Sequence, residues 1–373
     1  VGISPEMTSM MELLNATANA PLLTLDVDET TNSIVMRAPR QLGEEIEEFV
    51  QELDSQAQDG GTRNISLVPL KGMNADQIEE ALQLLMRGGR YRPAYVHSFK
   101  AGLDKDNKLI AWHNHIVGQS IVSGTPFEGL IKDGVDGTSV EGASNIPYGI
   151  QNINVGLTTT DVKVPVLWWR AVGSTHTAYA VESFLDEVIA EIGADPYTYR
   201  MELLKDHPRH AAVLKLAADK AGWSSPAPEG RFRGLAVHES FASVVAHIAE
   251  ISMENGTPTV HKVTVAVDCG IAINPDTIKA QMEGGTGFGL SSILAEELTL
   301  VNGEVEQGNY DTYTPLRIDA MPEVDVHIVP STNKPTGVGE PGVPSIGPAV
   351  ANAIAAAGGR RIRVLPMSKS MGT

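Results

Sequence analysis

The chain has 373 residues, enough for two or three domains of ordinary size and a large buried core. Hydrophobic residues make up 42% and charged residues 20%, and a net charge of −18 argues against nucleic acid or an anionic membrane as the main partner. The one cysteine, Cys269, excludes an internal disulfide and, within this chain, an iron–sulfur cluster or a Cys-based zinc site. No apolar run is long enough for a membrane span. The opening VGISPEMTSMMELLNATANA lacks the basic-then-apolar order of a signal peptide and starts on Val, so the start is expected to be processed or truncated.

Residues 1–86 read as a small α/β module. Leu22–Asp26 and Ser33–Ala38 form two short strands around Glu29-Thr30-Thr31-Asn32. Leu42, Ile46, Phe49, Val50 and Leu53 keep a helical period, and the glutamates between them make a solvated face. After the break at Asp59-Gly60-Gly61 comes a strand, Ile65–Leu70. Asn74 and Gln77 then resemble a capping box that opens a helix with Ile78, Ala81, Leu82 and Leu85 inward. The order DVDETTNSIVM, amphipathic helix, SLVPLKGMNADQIEEALQLL resembles the ring-forming periplasmic repeats of secretins. A generic small α/β module accounts for the same pattern.

From Arg90 the character changes. Lys108–Gly118 and Asp161–Trp169 read as strands, the second an apolar run ending in Trp168-Trp169. Val181, Leu185, Val188 and Ile192 lay an apolar stripe on a helix that stops at Gly193, and Asp195-Pro196 opens the next. A third helix covers Pro208 to Trp223. Beyond the break Ser224–Gly230 strands return, with Val263, Val265 and Val267 alternating and then Val324, Val326 and Ile328. Ala349–Ala357 is a helix of small residues suited to close packing.

Three stretches carry chemistry-bearing residues. VDCGIAINPDTIKAQMEGGTGFG runs from a strand end at Asp268 through Asn274-Pro275 into a helix near Asp276, then into Gly284, Gly285, Gly287 and Gly289. A helix rather than a strand precedes these glycines, so the dinucleotide fingerprint does not fit, and tight packing is the expected reason for them. Cys269 is expected to be a buried small hydrophobe. In WWRAVGSTHTAYAVESFLDE, Arg170 stands between an apolar run and a helix start, where backbone N–H groups can hold an anion. In TGVGEPGVPSIGP, Glu340 stands alone among glycines and prolines, and Pro341 keeps it out of a helix interior. His113 and His115 share one strand face, half a metal site without a third ligand, and His207 and His210 flank a helix start as caps or exposed groups. There is no HExxH, Walker or GxSxG motif.

From Arg90 to Thr373 a series of motifs keeps its order: YRPAYVHSFKAGLD, GTPFEGL, KDGVDGTSVEGASNIPY, VPVLWWRAVGSTHTAYAVESFLDE, HPRHAAVLKLAADKAGW, GLAVHESF, VDCGIAINPDTIKAQMEGG and TGVGEPGVPSIGPAVANAI. This part resembles the C-terminal part of the molybdopterin-binding large subunit of the xanthine oxidase family, of the isoquinoline 1-oxidoreductase beta subunit and aldehyde dehydrogenase type. The resemblance implies an α+β fold of mixed sheets packed with helices, with molybdopterin-binding-type domains at 87–223 and 224–373 beside the 1–86 module. It implies that Glu340 is the catalytic general base, isolated because a base works best without a nearby like charge. By the same resemblance Gln281, Gly339 and the loop Arg170, Ala171, Val172 and Gly173 lie at the cofactor. Where xanthine oxidases have Arg-Gly-Phe-Gly, this loop has Val172 in place of the aromatic, so the pocket should be wider or differently shaped. No protein ligand to the metal is expected.

The implied cofactor is molybdenum-molybdopterin, with the cytosine dinucleotide as one form. The implied reaction hydroxylates an aldehyde or N-heterocycle carbon with oxygen from water. Electrons would pass to a small partner subunit carrying [2Fe–2S] clusters. Family members of this branch are longer and carry further cofactor-binding segments, including one of GQG type, which this chain lacks. A fragment, a fusion or a partner chain supplying that part would each explain it. The rivals are a cofactor-free or partner-completed scaffold, or an assembly protein built around the first module. Relatives of this branch are often exported by a twin-arginine signal, absent here, so periplasm and cytoplasm both stay open.

Overall fold

The computed structural model describes residues 24–28, 33–37, 90–125 and 127–370. The chain divides into two units, Val1–Gly88 and Gly89–Thr373. In the first, β1 (Thr24–Asp28) pairs antiparallel with β2 (Ser33–Arg37), and Asp28 stands opposite Ser33. The expected hairpin is present, its first strand shifted two residues along. The expected helices around Leu42–Leu53 and after Asn74, the strand Ile65–Leu70 and the stretch that resembles secretin repeats after Arg37 lie outside the described residues.

The second unit is built on two sheets. β3 (Tyr95–Leu103) runs antiparallel to β4 (Leu109–Gln119), and β4 runs parallel to β5 (Asn152–Thr160). Along β4 the pleat sends Trp112, Asn114 and Ile116 inward and His113 and His115 to the other face. Helix α1 (Ser174–Ile192) covers the inner face, where Phe184 packs against Phe99 and Trp112. It ends at Gly193, whose φ of 74° is the left-handed stop expected of glycine there. In α2 (Pro196–Leu203) Asp195 is the N-cap, accepting from Thr198 N–H, and α3 (Pro208–Ala221) follows.

The larger sheet has the order β11-β8-β7-β6, formed by β6 (Phe232–Ser240), β7 (Ser243–Glu254), β8 (Thr257–Asp268) and β11 (Glu323–Ile328). The first three are antiparallel neighbours, and β11 joins parallel to β8. Both faces are covered, which is why residues 243–249 of β7 are buried without alternation. Leu235, Val237, Val244, Ala246 and Ile248 share a core with Val213, Leu214 and Ala217 of α3. Ala236, Val245, Val263, Val265 and Val267 share a second core with α4 (Pro275–Leu294) and α5 (Ile346–Ala356). A short ribbon, β9 (Leu300–Val301) with β10 (Glu304–Val305), lies between α4 and β11 in sequence. The small-residue helix α5 packs as closely as its composition predicts. A Cβ on Gly234 would lie 2.2 Å from Ala353 N and 2.3 Å from Ala349 O.

The strand expected over Asp161–Trp169 does not form. Lys163 takes a left-handed φ of 61°, Pro165 has no N–H to give a ladder, and the run makes only a bridge between Val166 and Tyr91. Val166 is buried instead in a small cluster with Ile121 and Val122, with Val164 packed against it, while Val162 and Trp168 stay exposed. The ladder place beside β4 goes to the more polar Asn152–Thr160, which periodicity did not mark. Among the described residues no helix is long and apolar enough to cross a membrane.

Candidate active site

Three segments far apart in sequence meet at Arg170. Its Nε donates to Gly339 O at 2.7 Å, and its Nη2 donates to Gln281 Oε1 at 3.0 Å. The next amide, Ala171 N–H, donates to Glu340 Oε1 at 3.3 Å. Gln281 rides on α4, where Asn274 caps the start by accepting from Thr277 N–H. Glu340 is half-buried and leads into residues 341–350, buried throughout.

Glycines bring these two segments together. A Cβ on Gly285 would lie 2.9 Å from Gly342 C, and one on Gly289 would lie 2.5 Å from Ile346 Cγ2. Tight packing is therefore what the glycine-rich end of α4 provides. A buried histidine ties the same elements: His247 Nδ1 is bonded to Ser345 Oγ at 2.8 Å, and its Nε2 to Thr286 Oγ1 at 3.0 Å. Burial lowers the His247 pKa to about 3, so the bridge is made by a neutral imidazole.

The loop between Arg170 and α1 is strained. Ala171 and Val172 both adopt positive φ, 78° and 50°, in a region that costs a residue with a Cβ about 1–2 kcal/mol. Gly173 has no room for a side chain, since a Cβ would sit 1.8 Å from Thr138 O. Val172 does not project an aromatic surface; it packs against the Ile121, Val122 and Val166 cluster. Aromatic surface comes from nearby residues instead. Trp169 stacks on Phe288 of α4 at 4.6 Å, and the Arg170 guanidinium lies 5.5 Å from the same ring.

Glu340 is alone in sequence but has a like-charged neighbour in space. Gly173 N–H donates to Glu141 Oε1 at 2.8 Å, so one turn serves Glu340 through Ala171 and Glu141 through Gly173. Burial pushes the Glu141 carboxyl up to about 7; the Gly173 and Ser174 amides oppose this, and the charges of Asp136 and Glu340 add to it. The expectation of an isolated base is thereby corrected. Glu141 stood within KDGVDGTSVEGASNIPY without any local mark of its role.

The other candidates lie elsewhere. His113 and His115 bond to the neighbouring strand, to Asn154 Oδ1 and Thr158 Oγ1, and among the described residues no three metal-binding side chains converge. His210 is not a cap or an exposed group. It is buried, its pKa lowered by burial to about 4, because the first turn of α3 faces β6. Cys269 is buried in the second core, as expected of a small hydrophobe, and burial raises its thiol pKa.

Residues 209–322 match the family model described as molybdopterin cofactor-binding domain. The chain is 31% identical to a membrane-bound aldehyde dehydrogenase (pyrroloquinoline-quinone) of Gluconacetobacter polyoxogenes, over 76% of this chain and 40% of that protein. It is 33% identical to isoquinoline 1-oxidoreductase subunit beta of Brevundimonas diminuta, over 61% of this chain and 30% of that protein. The chain thus spans well under half the length of these relatives. Quinoline 2-oxidoreductase from Pseudomonas putida 86 shares the fold, with a TM-score of 0.60 at 13% identity over 75% of this chain and 62% of that one. Aldehyde oxidoreductase from Desulfovibrio gigas shares it at a TM-score of 0.53, with 15% identity over 74% of this chain and 48% of that one. The chain is thus related to molybdenum-binding subunits of the xanthine oxidase family type, and residues 209–322 match a molybdopterin cofactor-binding domain.

Proposed function

We propose that this chain supplies the base-bearing part of a molybdenum hydroxylase that oxidises an aldehyde or an N-heteroaromatic carbon with oxygen from water. The observation that carries the reading is the convergence on Arg170 of Gly339, Gln281 and, through the next amide, Glu340. These residues suit a polar, anionic cofactor. Arg170 offers a cation and Gln281 an amide. A Cβ on Gly339 or Gly284 would meet nothing within 4 Å, so backbone there is open to a bound group.

Arg170, Gln281, Gly339 and the 171–173 turn would hold molybdopterin, as such or as its cytosine dinucleotide. The bound group would supply the redox centre. Glu340 then acts as general base, its carboxylate oriented by Ala171 N–H and held by the buried stretch that follows. The Trp169–Phe288 stack borders the same loop and would form an apolar wall for a planar substrate. Electrons would leave to a [2Fe–2S] partner subunit, and the segments present in the longer relatives would complete the site.

The test uses protein from a host that makes the cofactor, measuring molybdenum per chain and turnover of aldehydes and N-heterocycles. Near-stoichiometric metal is expected, and Glu340→Gln should lose about a hundred- to ten-thousand-fold in rate while keeping its melting curve. An active Glu340→Gln protein would remove the base assignment. Protein without metal, alone and with a partner chain, would remove the hydroxylase reading.

A further inference from the structure

We infer that Glu141 is a positioning residue for Glu340, acting through the strained turn that the two carboxylates share. The inference rests on Glu340 being the base. Alternate amides of one turn go to the two side chains, Ala171 N–H to Glu340 and Gly173 N–H to Glu141. Two consecutive left-handed residues bearing side chains do not hold that shape unaided. Val172 N–H to Trp169 O closes the turn from within, Arg170 anchors its start, and Glu141 anchors its end at the first residues of α1.

Glu141 is itself fixed. Its backbone carbonyl accepts from Thr177 Oγ1 at 2.7 Å, and Gly142 beside it has no room for a Cβ against His238 of β6. A displaced Glu141 would release Gly173, and the Ala171 amide that orients Glu340 would move with it.

The pair is also coupled by charge. Glu141 is faced by Asp136 from its own loop, by Glu340 from the loop before α5, by Tyr95 of β3, and across Gly142 by His238, which burial keeps neutral. Loss of charge at Glu340 removes one repulsion, so ionised Glu141 becomes easier to form. A carboxyl out of electrostatic reach of Glu340 would not respond to it, so the response reports that the two groups meet at this turn.

The first experiment needs no cofactor. Infrared titration of the full chain follows the Glu141 carboxyl band, assigned by its loss in Glu141→Gln, in otherwise native protein and in Glu340→Gln. A midpoint at about 7 is expected, moving to lower pH in Glu340→Gln. A midpoint that stays put in Glu340→Gln overturns the coupling. The second experiment uses loaded enzyme. Glu141→Ala removes the acceptor for Gly173 N–H and should lower kcat about tenfold or more with KM unchanged, whereas Glu141→Gln keeps an acceptor and should restore most of that loss. Wild-type kcat in Glu141→Ala at every pH overturns the positioning role. Turnover surviving in Glu340→Gln instead defeats the base assignment, which the titration result does not depend on.

Discussion

Glu141 ties the geometry of the turn beside Arg170 to stability. Its carboxyl is raised from the ordinary 4.5 to about 7, burial being the largest cause. Between those values the folded chain keeps a proton that the unfolded chain has released. Stability therefore falls as pH rises through that window, by ~3 kcal/mol if the whole shift is expressed. Denaturant titrations at about pH 5 and about pH 8 should show a smaller loss on raising pH for Glu141→Gln than for the native chain. Equal losses would mean the carboxyl titrates normally. At Gly173, conformation matters less than space, because its φ is negative while any Cβ would strike Thr138 O. Gly173→Ala should displace the turn from Glu141 and lower turnover at least as far as Glu141→Ala does.

Among the elements, the packing of α5 on β6 and of α1 on its neighbours decides whether the site is held at all. Gly234 lets the α5 backbone lie directly on the strand, and Gly234→Ala should cost about 1–3 kcal/mol through overpacking, read from the denaturation midpoint. A wholly buried guanidinium knits the other elements. Arg200 of α2 reaches Glu182 of α1 at 3.1 Å and Asp186 at 3.3 Å, and Arg361 joins Asp186 at 2.8 Å. Tyr148 Oη and Val237 N–H donate to the same Glu182. Burial alone would lower the Arg200 pKa, and the facing carboxylates more than reverse it. Arg200→Leu leaves Glu182 buried beside no cation and should cost about 3–5 kcal/mol. An Arg200→Leu, Glu182→Leu double variant should recover part of that loss.

Across the second unit, buried histidines set the response to acid. Burial is the main cause that lowers His97 and His210 to about 4 and His238 and His247 to about 3, from an ordinary 6.5. Below 6.5 the unfolded chain takes up protons that the folded chain refuses, so stability falls as pH drops. By about pH 5 each contributes a loss of ~2 kcal/mol, which together outweigh the opposite trend from Glu141. The unit should unfold between about pH 6 and about pH 4, with the tryptophan signal lost in that range. A flat stability profile to about pH 4 would contradict their burial as neutral groups.

The helices and the two valine-rich strands of the second unit were legible in the sequence because their signals are local. Apolar spacing of three and four residues, Gly193 as a stop and Asp195-Pro196 as a start need nothing beyond their neighbours. Glu340, Arg170 and Gln281 could be named from motifs kept in order, and the fold brings their segments together; their roles belong to the proposal. Tertiary structure alone decided what depends on distant partners. Asn152–Thr160 became a strand because β4 offered it an edge, while the more apolar Asp161–Trp169 was turned aside at Lys163 and Pro165. Glu141 is one of 46 acidic residues, and nothing around it in the chain separates it from the rest. Its raised pKa comes from burial, and its place opposite Glu340 from an amide 32 positions away. Periodicity is a property of a short segment; desolvation and the meeting of charges are properties of the folded chain.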